Sequence, residues 1–400
     1  MSSMHLVPFA KYGQVRVGLV GVGWRGLTLL HELCACEGAV ITAVADELAE
    51  RLDPVRAWLA KTGRPQPLYF SGSGNWQRLL EIDLDLVIIA TSWQTHASLA
   101  IAAMEAGKHT ALEVPAAMTI EECWQLVETC ERTRRHCIIL ENCCYGYWEM
   151  LVKRMVMAGK LGTLTHAECA YIHNLRHQLF FMDDRQGWRR QAHIHLNGNH
   201  YPTHGLGPVA KCLQIGAGDA FDYLVSMSSR EAGLSEYRDQ NLATQDPRRK
   251  EVYSNGDVNV SLLRTKLGRT IVLQHDVVTP RPYDRIFLIG GTKGTFRDYP
   301  PRLYLDEITQ SEEEWLDPAP YRADWEDPLW KEHGAQALAA GGHGGMDYLM
   351  ILRLIEAMRQ GQPPDIDVYE AAEWSAPGPL SIESGARRSA PLDFPDFRRP

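Results

Sequence analysis

No run of apolar residues in this 400-residue chain approaches the roughly 20 needed to cross a bilayer. No basic tract offsets its net charge of −9, which argues against nucleic acid or an anionic membrane surface as partner. Residues 1–14 lack the charged-then-apolar layout of an export signal, and they lack paired arginines. As it stands the sequence reads as cytoplasmic; a chain whose signal had been removed would look the same. The nine cysteines include no CxxC pair, and an odd number fits a reducing compartment better than a disulfide framework. They read as small buried hydrophobes, with Cys143 and Cys144 expected on opposite faces of a strand. None of the 15 histidines shows His-x3-His spacing on an amphipathic helix beside an acid. His193 and His195 read as residues of a polar loop, and no metal site is expected. Internal repeats are absent too.

What is present is a composition of 45% hydrophobic and 23% charged residues, that of an ordinary globular chain, at a length that implies two domains. The most informative stretch is residues 15–46. An apolar run, Val15 to Val20, is followed at once by Gly21-Val22-Gly23-Trp24-Arg25-Gly26, then by a helical stretch through Leu33. A second apolar run from Val40 ends at Asp46. Each part has a physical role in binding a dinucleotide. Gly21 permits the tight strand-to-helix turn, Gly23 lets backbone approach a pyrophosphate, and Gly26 lets the helix pack closely on the sheet. The helix N-terminus presents unpaired N–H groups to the phosphates. Asp46, 20 residues beyond Gly26, is placed to accept bonds from both ribose hydroxyls. Glu47 follows it, so a 2′-phosphate would meet two carboxylates; the expected cofactor is NAD, not NADP.

The first 140 residues alternate apolar runs with helical stretches, the pattern of a parallel sheet. Helices are expected at 50–61, 96–107 and 119–135, the last opened by a Thr119/Glu122 capping box. Strands are expected at 84–90, 108–114 and 136–142. Residues just past strand ends, 91–96, 113–115 and 141–142, should line the crevice. From Cys143 the pattern changes. A helix near 149–158, a strand at 164–172 and a long irregular stretch are followed by strands near 221–227, 257–264, 270–277 and 285–290. Residues 306–339 read as polar and loop-rich, 345–359 as an amphipathic helix, 367–376 as a further segment, and 379–400 as a tail without periodicity. The fold class expected is α/β: an N-terminal Rossmann domain (1–142) plus a C-terminal α+β domain (143–400) with a mixed or antiparallel open sheet.

Two segments of the second domain are unusually polar. Asn197 to Pro208, NGNHYPTHGLGP, places hydroxyls and imidazoles before a helix expected at 209–213, which suits a polyhydroxylated ligand; a capped Gly/Pro turn is the alternative. Gln274 to Tyr283 reads as a strand ending in a stiff loop that presents Tyr283 between prolines and charge, with simple packing the alternative. Tyr171 ends the 164–172 strand, with His173, Arg176 and His177 following; here a core tyrosine is the alternative.

The N-terminal unit with Glu113-Val114-Pro115 resembles the two-domain sugar oxidoreductases named for glucose–fructose and inositol dehydrogenases (Gfo/Idh/MocA). The stretches TSWQTHASLAIAAMEAGKHTALEVPAAMTIEECW, RRHCIILENCCYG, NGNHYPTHGLGPVAK, FDYLVSMSS, LQHDVVTPRPYDRI, GGHGGMDY and AAEWSAPGPLS narrow this. They resemble the NAD-dependent glycoside hydrolases that act as α-N-acetylgalactosaminidases. Two departures from ordinary dehydrogenases accompany the resemblance. Val114 stands where those enzymes carry a lysine, and Thr203 and Gly207 stand where they place an Asp and a His.

The resemblance implies hydrolysis of a glycan-terminal or small-molecule sugar through transient C3 oxidation, C2 deprotonation, elimination and water addition, with retention and no net redox. It implies Tyr171 as the C2 base and His204 as the group near the 3-hydroxyl. Arg189, Tyr201, Pro202, Thr203 and Tyr283 are implied in the substrate pocket, with Arg190 an alternative to Arg189. It implies a cofactor set of Trp24, Arg25, Asp46, Trp93, Gln94, Thr95, His96, Glu113, Val114, Asn142 and Tyr201 beside the three glycines. Arg176 or Arg189 is expected to lower the Tyr171 pKa. A net sugar dehydrogenase and a non-catalytic NAD(H) sensor are the competing functions. β-Linked or other N-acetylhexosamine substrates stay open, and a homodimer is the expected assembly.

Overall fold

Val15–Val20 (β1) is almost wholly buried, as a strand covered on both faces must be. In the computed structural model, which describes residues 3–182 and 187–399, β1 pairs in parallel with Ala39–Asp46 (β2) and Leu86–Ile89 (β4). Leu68–Ser71 (β3), His109–Leu112 (β5) and Cys137–Ile139 (β6) complete a six-stranded parallel sheet of order β3-β2-β1-β4-β5-β6. That order reverses between β1 and β4, and ligands bind beyond the strand ends at such a reversal. Helices Trp24–Ala35 (α1), Leu52–Lys61 (α2), Trp76–Leu80 (α3), Trp93–Glu105 (α4) and Ile120–Thr133 (α5) supply the crossovers. α1 buries Leu29, Leu30 and Leu33, spaced to share one face, and each such leucine contributes about 1.5–3 kcal/mol. The Thr119/Glu122 capping box opens α5: Glu122 N donates to Thr119 Oγ1 at 3.1 Å and Thr119 N to Glu122 Oε2 at 3.2 Å.

The chain divides differently from a single cut after residue 142. One compact unit comprises Met1–Tyr147, Pro328–Glu373 and Phe397–Pro400; the other comprises Trp148–Asp327 and Trp374–Asp396. The helix Met346–Gln360 packs on α1, so this late segment belongs with the first sheet. Amphipathicity shows that a helix covers a sheet, but not which sheet.

In the second unit, Leu164–Ile172 (β7), Phe221–Ser228 (β8), Val258–Thr265 (β9), Thr270–Asp276 (β10), Leu288–Gly291 (β11), Gly294–Arg297 (β12), Arg302–Leu305 (β13) and Leu392–Asp393 (β14) form one sheet. Its order is β13-β12-β11-β7-β10-β9-β8-β14. β7 and β10 run parallel and the other neighbours antiparallel, so the sheet is mixed as expected. The covered face carries a polar network. Ser226 N donates to Ser384 Oγ at 2.9 Å, Ser261 Oγ to Ser226 Oγ at 2.9 Å, and Asn259 Nδ2 to Ser226 Oγ at 3.0 Å. Buried polar side chains here are therefore bonded to one another.

Several expectations need correcting. The helix Tyr147–Met157 (α6) is present, but Trp188–His195 (α7) is a helix where an irregular stretch was expected, so His193 and His195 are helical. Cys143 and Cys144 lie in a 3-10 turn, Asn142–Tyr145, not on a strand. Pro328–Ala340 is a helix within the supposed loop, and Pro377–Ala386 a helix within the supposed tail. In both, proline begins the helix, where its missing N–H costs no intrahelical bond. All nine cysteines are free thiols, most of them buried.

The most consequential correction is Thr203–Leu213 (α8), which begins six residues before the expected 209. Gly205, Gly207 and Pro208 are poor helix formers, and local propensity hides the helix. Tertiary packing overrides it. A Cβ at Gly205 would stand 2.7 Å from Ala170 N and 2.9 Å from Ala170 O, so α8 lies directly on the β7 backbone. Gly205→Ala should therefore lower unfolding free energy by about 1–3 kcal/mol. A urea transition unchanged from wild type would contradict this packing account.

Candidate active site

The first unit presents a dinucleotide cradle at the ends of β1 and β4. Gly21 has φ +86°, and a Cβ there would lie 2.6 Å from Ala90 O, so only glycine makes this turn. A Cβ at Gly26 would lie 2.0 Å from Gly21 O. Around Gly23, by contrast, the nearest atom to a Cβ is an Arg51 nitrogen at 3.9 Å, leaving room for a ligand. α1 has no side-chain N-cap bond and no acid in its first turn, so its N-terminal N–H groups are directed at whatever binds there. Asp46 is buried and oriented, accepting from Val22 N at 2.8 Å and Leu48 N at 2.9 Å. These features fit NAD.

The other expected cofactor residues of this unit divide into surfaces and supports. Trp24 is exposed, and Gln94 lies on the open face of α4. Trp93 is buried, and Thr95 Oγ1 stands 2.7 Å from Thr91 Oγ1. His96 is buried with its ring nitrogens 2.8 Å from Pro115 O and 3.1 Å from Thr91 O, which ties the loop after β4 to the loop after β5. Val114, the residue before Pro115, is buried as well.

Arg25, Glu113 and Asn142 meet in one network around a residue that sequence reasoning missed. Arg25 donates to Glu113 Oε1 at 2.7 Å and to Asp347 through two nitrogens at 2.6 and 3.0 Å. Asn142 Nδ2 donates to Asp347 Oδ1 at 2.7 Å, and His343 Nδ1 lies 2.7 Å from Asp347 Oδ2. Burial works against ionising Asp347, but His343 and Arg25 outweigh it and hold the carboxyl well below its usual range. Asp347 sits within GGHGGMDY, so its signal was visible. Its partnership with residue 25 was not.

In the second unit, four expected rings gather where β7 meets α8. The Tyr171 ring lies 4.5 Å from Tyr201, 5.5 Å from His204 and 6.3 Å from Tyr283, and Tyr201 lies 4.8 Å from His204. Tyr171 and Tyr201 are buried, whereas Tyr283 is 37% exposed. Pro202 caps α8, and Thr203, its first residue, is fully buried with a hydroxyl that meets no hydrogen-bond partner. Arg189 lies 4.5 Å over Trp188 and 5.9 Å over Tyr201. Arg190 is committed elsewhere, to Glu251 at 2.9 Å and Leu179 O at 2.8 Å, which favours Arg189 of the two. Arg176 donates to Asn174 and lies over Tyr237.

Three members of this cluster had been given no role from sequence. His173 Nδ1 lies 3.1 Å from the Tyr171 hydroxyl. His275 is the register partner of Tyr171 across β7 and β10. Arg285 donates to Tyr283 Oη at 3.2 Å and pairs with Glu149. Alternation along a strand foretells the first, since residues two apart share a face; the other two depend on strand pairing and packing.

Two matches follow this geometry. Residues 145–400 match the model described as the C-terminal domain of glycosyl hydrolase 109. Residues 15–140 match an oxidoreductase-family, NAD-binding Rossmann fold. A glycosyl hydrolase family 109 protein of Solibacter usitatus is 53% identical, the match covering 99% of this chain and 91% of the relative. One from Saccharopolyspora erythraea is 48% identical over 99% and 86%. The chain belongs to glycosyl hydrolase family 109. Among solved structures, this family 109 chain is similar to levoglucosan dehydrogenase in complex with NADH and L-sorbose. The TM-score is 0.73 at 20% identity, covering 96% of this chain and all of that one (100%). It is also similar to apo scyllo-inositol dehydrogenase from Lactobacillus casei, with TM-score 0.65 at 14% identity over 96% and 99%. At such identity the likeness concerns the fold.

Behind the rings lies a buried imidazole column, His275, His200 and His193, with centroids 5.6 and 5.2 Å apart. Burial pushes the His200 pKa down to about 4, and drives His193 and His275 well below 6.5. A lowered folded pKa means that the unfolded chain takes up the proton first. The stability these groups supply is therefore complete above about 6.5 and is lost as pH falls toward 4. His200→Phe should make unfolding free energy about 2 kcal/mol less sensitive to the change from pH 7 to pH 5. Equal slopes for variant and wild type in urea titrations would contradict this.

Proposed function

We propose that this family 109 protein is an NAD-dependent glycosidase that hydrolyses terminal α-linked N-acetylgalactosamine with retention and no net redox. The observation that carries the reading is the coexistence of an intact NAD cradle with a cluster of tyrosine and histidine rings. A glycosidase of the usual kind relies on two carboxylates across the scissile bond. The ring cluster of the second unit is instead suited to moving protons between phenol and imidazole.

Bound NAD+ would supply reversible two-electron oxidation of the sugar's C3 hydroxyl. His204 would take the proton of that hydroxyl, and Tyr171 would take the proton from C2, which a C3 ketone makes acidic. The C2–H electron pair becomes the C1–C2 double bond as the C1–O pair leaves with the aglycone oxygen. Water then adds its oxygen to C1 and its proton ends on the departed alkoxide; C2 receives from Tyr171 a proton that has exchanged with solvent, and His204 returns its proton to the C3 oxygen as the oxidation is reversed. Arg189, Tyr201, Pro202, Thr203 and Tyr283 would orient the sugar.

A net sugar dehydrogenase would use the same cradle. Against it, Val114 offers no proton acceptor where a dehydrogenase carries lysine, and α8 opens with Thr203 and Gly207 in place of an Asp and a His. Stoichiometric growth of absorbance at 340 nm with free sugar would favour that alternative.

Incubation with p-nitrophenyl α-N-acetylgalactosaminide in heavy water should release the phenol and place deuterium at C2 of the sugar. Tyr171→Phe should slow release by about 10²–10⁴-fold. Cleavage that leaves C2 fully protonated would exclude the reading.

A further inference from the structure

A neutral tyrosine is a poor base, because its phenol ordinarily titrates near 10. If Tyr171 is to take a proton from carbon, something must favour loss of its own. A nearby cation is one solution. An adjacent base that accepts the phenolic proton is another. What stands 3.1 Å from the Tyr171 hydroxyl is an imidazole nitrogen, His173 Nδ1.

The strand sets this pair. Tyr171 is the penultimate residue of β7 and His173 the first beyond it, where the backbone still pairs with Asp276, so their side chains leave the same face. His173 is held on two further sides. Its N–H donates to Asp276 O at 2.9 Å, fixing the backbone, and its ring meets the Tyr283 ring edge to face at 5.1 Å. Tyr171 is buried, while His173 is only half-buried. The imidazole thus has one nitrogen on the phenol and access to solvent, with which it can exchange protons.

We propose that His173 is a positioning residue that acts through Tyr171, its Nδ1 receiving the phenolic proton as the phenol oxygen takes the proton from C2. The step balances. The Tyr171 O–H bond breaks and an Nδ1–H bond forms, giving an imidazolium; the freed oxygen pair forms a new O–H bond with the C2 proton. The C2–H pair enters the sugar double bond, and both transfers reverse when the proton returns to C2. The imidazolium is the point at which solvent deuterium enters. This assignment rests on the C2-deprotonation reading given above, but it fixes a property that the resting protein already has: Nδ1 must be the unprotonated nitrogen, with the proton on Nε2.

The test has a spectroscopic and a kinetic arm. In 15N-histidine-labelled full-length protein, the His173 resonance (assigned with His173→Gln) should show the Nε2–H tautomer, and Tyr171→Phe should shift the Nδ1 signal. His173→Gln should lower kcat for the nitrophenyl glycoside about 100-fold with KM within twofold. His173→Gly should regain at least tenfold of its lost rate with added imidazole, which a purely structural role would not permit. An Nδ1–H tautomer, a His173→Gln kcat within threefold of wild type, or no rescue by imidazole would each overturn the assignment. Failure of the underlying reading looks different. Tyr171→Phe would then keep wild-type activity while the Nε2–H tautomer persists, and that result would also overturn His173's role in the reaction.

Discussion

The chemistry of the second unit depends on one close approach of backbones. At Gly205 the helix α8 comes so near β7 that a methyl group would overlap Ala170. Because the helix lies that low, its N-terminal end brings His204, in its first turn, and Tyr201, two residues before it, to the ring of Tyr171, one residue beyond Ala170 on the strand. A larger residue at 205 would lift the helix and spread the rings apart. The glycine that makes the segment look like a loop is thus what makes the cluster.

The same logic operates in the first unit with a different chemistry. Gly21 and Gly26 allow the turn and the close packing that bring the α1 N-terminus to a phosphate, while an ion-pair network secures the rim. Half-buried Arg25 is held between the buried carboxylates Glu113 and Asp347. Removing one partner from such a site leaves a charge without compensation, commonly a cost of about 3–5 kcal/mol. Asp347 arrives from more than 300 residues away along the chain, on a helix that sequence order would assign elsewhere. The N-terminal fold is therefore completed by a late segment.

How much of this was legible in the sequence varied with the physics involved. Glycine spacing, the alternation of buried strands and the Thr119/Glu122 capping box are local signals, and the first sheet follows from them. Tyr171, Tyr201, His204 and Tyr283 were identifiable as a set through resemblance, but their convergence is a property of β7 and α8 packing. The start of α8 was misplaced because Gly205, Gly207 and Pro208 oppose a helix locally while Ala170 favours one. The choice between Arg189 and Arg190 rests on which guanidinium Glu251 holds, a contact 61 residues distant. His173 needed only strand alternation, and Asp347 could not have been paired with Arg25 from spacing at all.

The proposed hydrolysis borrows an oxidation from the dinucleotide and returns it. The most direct measurement is the initial rate of nitrophenyl glycoside cleavage by protein freed of bound nicotinamide, before and after adding NAD+. The account predicts a rate near background that recovers as the cradle fills, with no NAD+ consumed over many turnovers. Full activity in the stripped protein would contradict it.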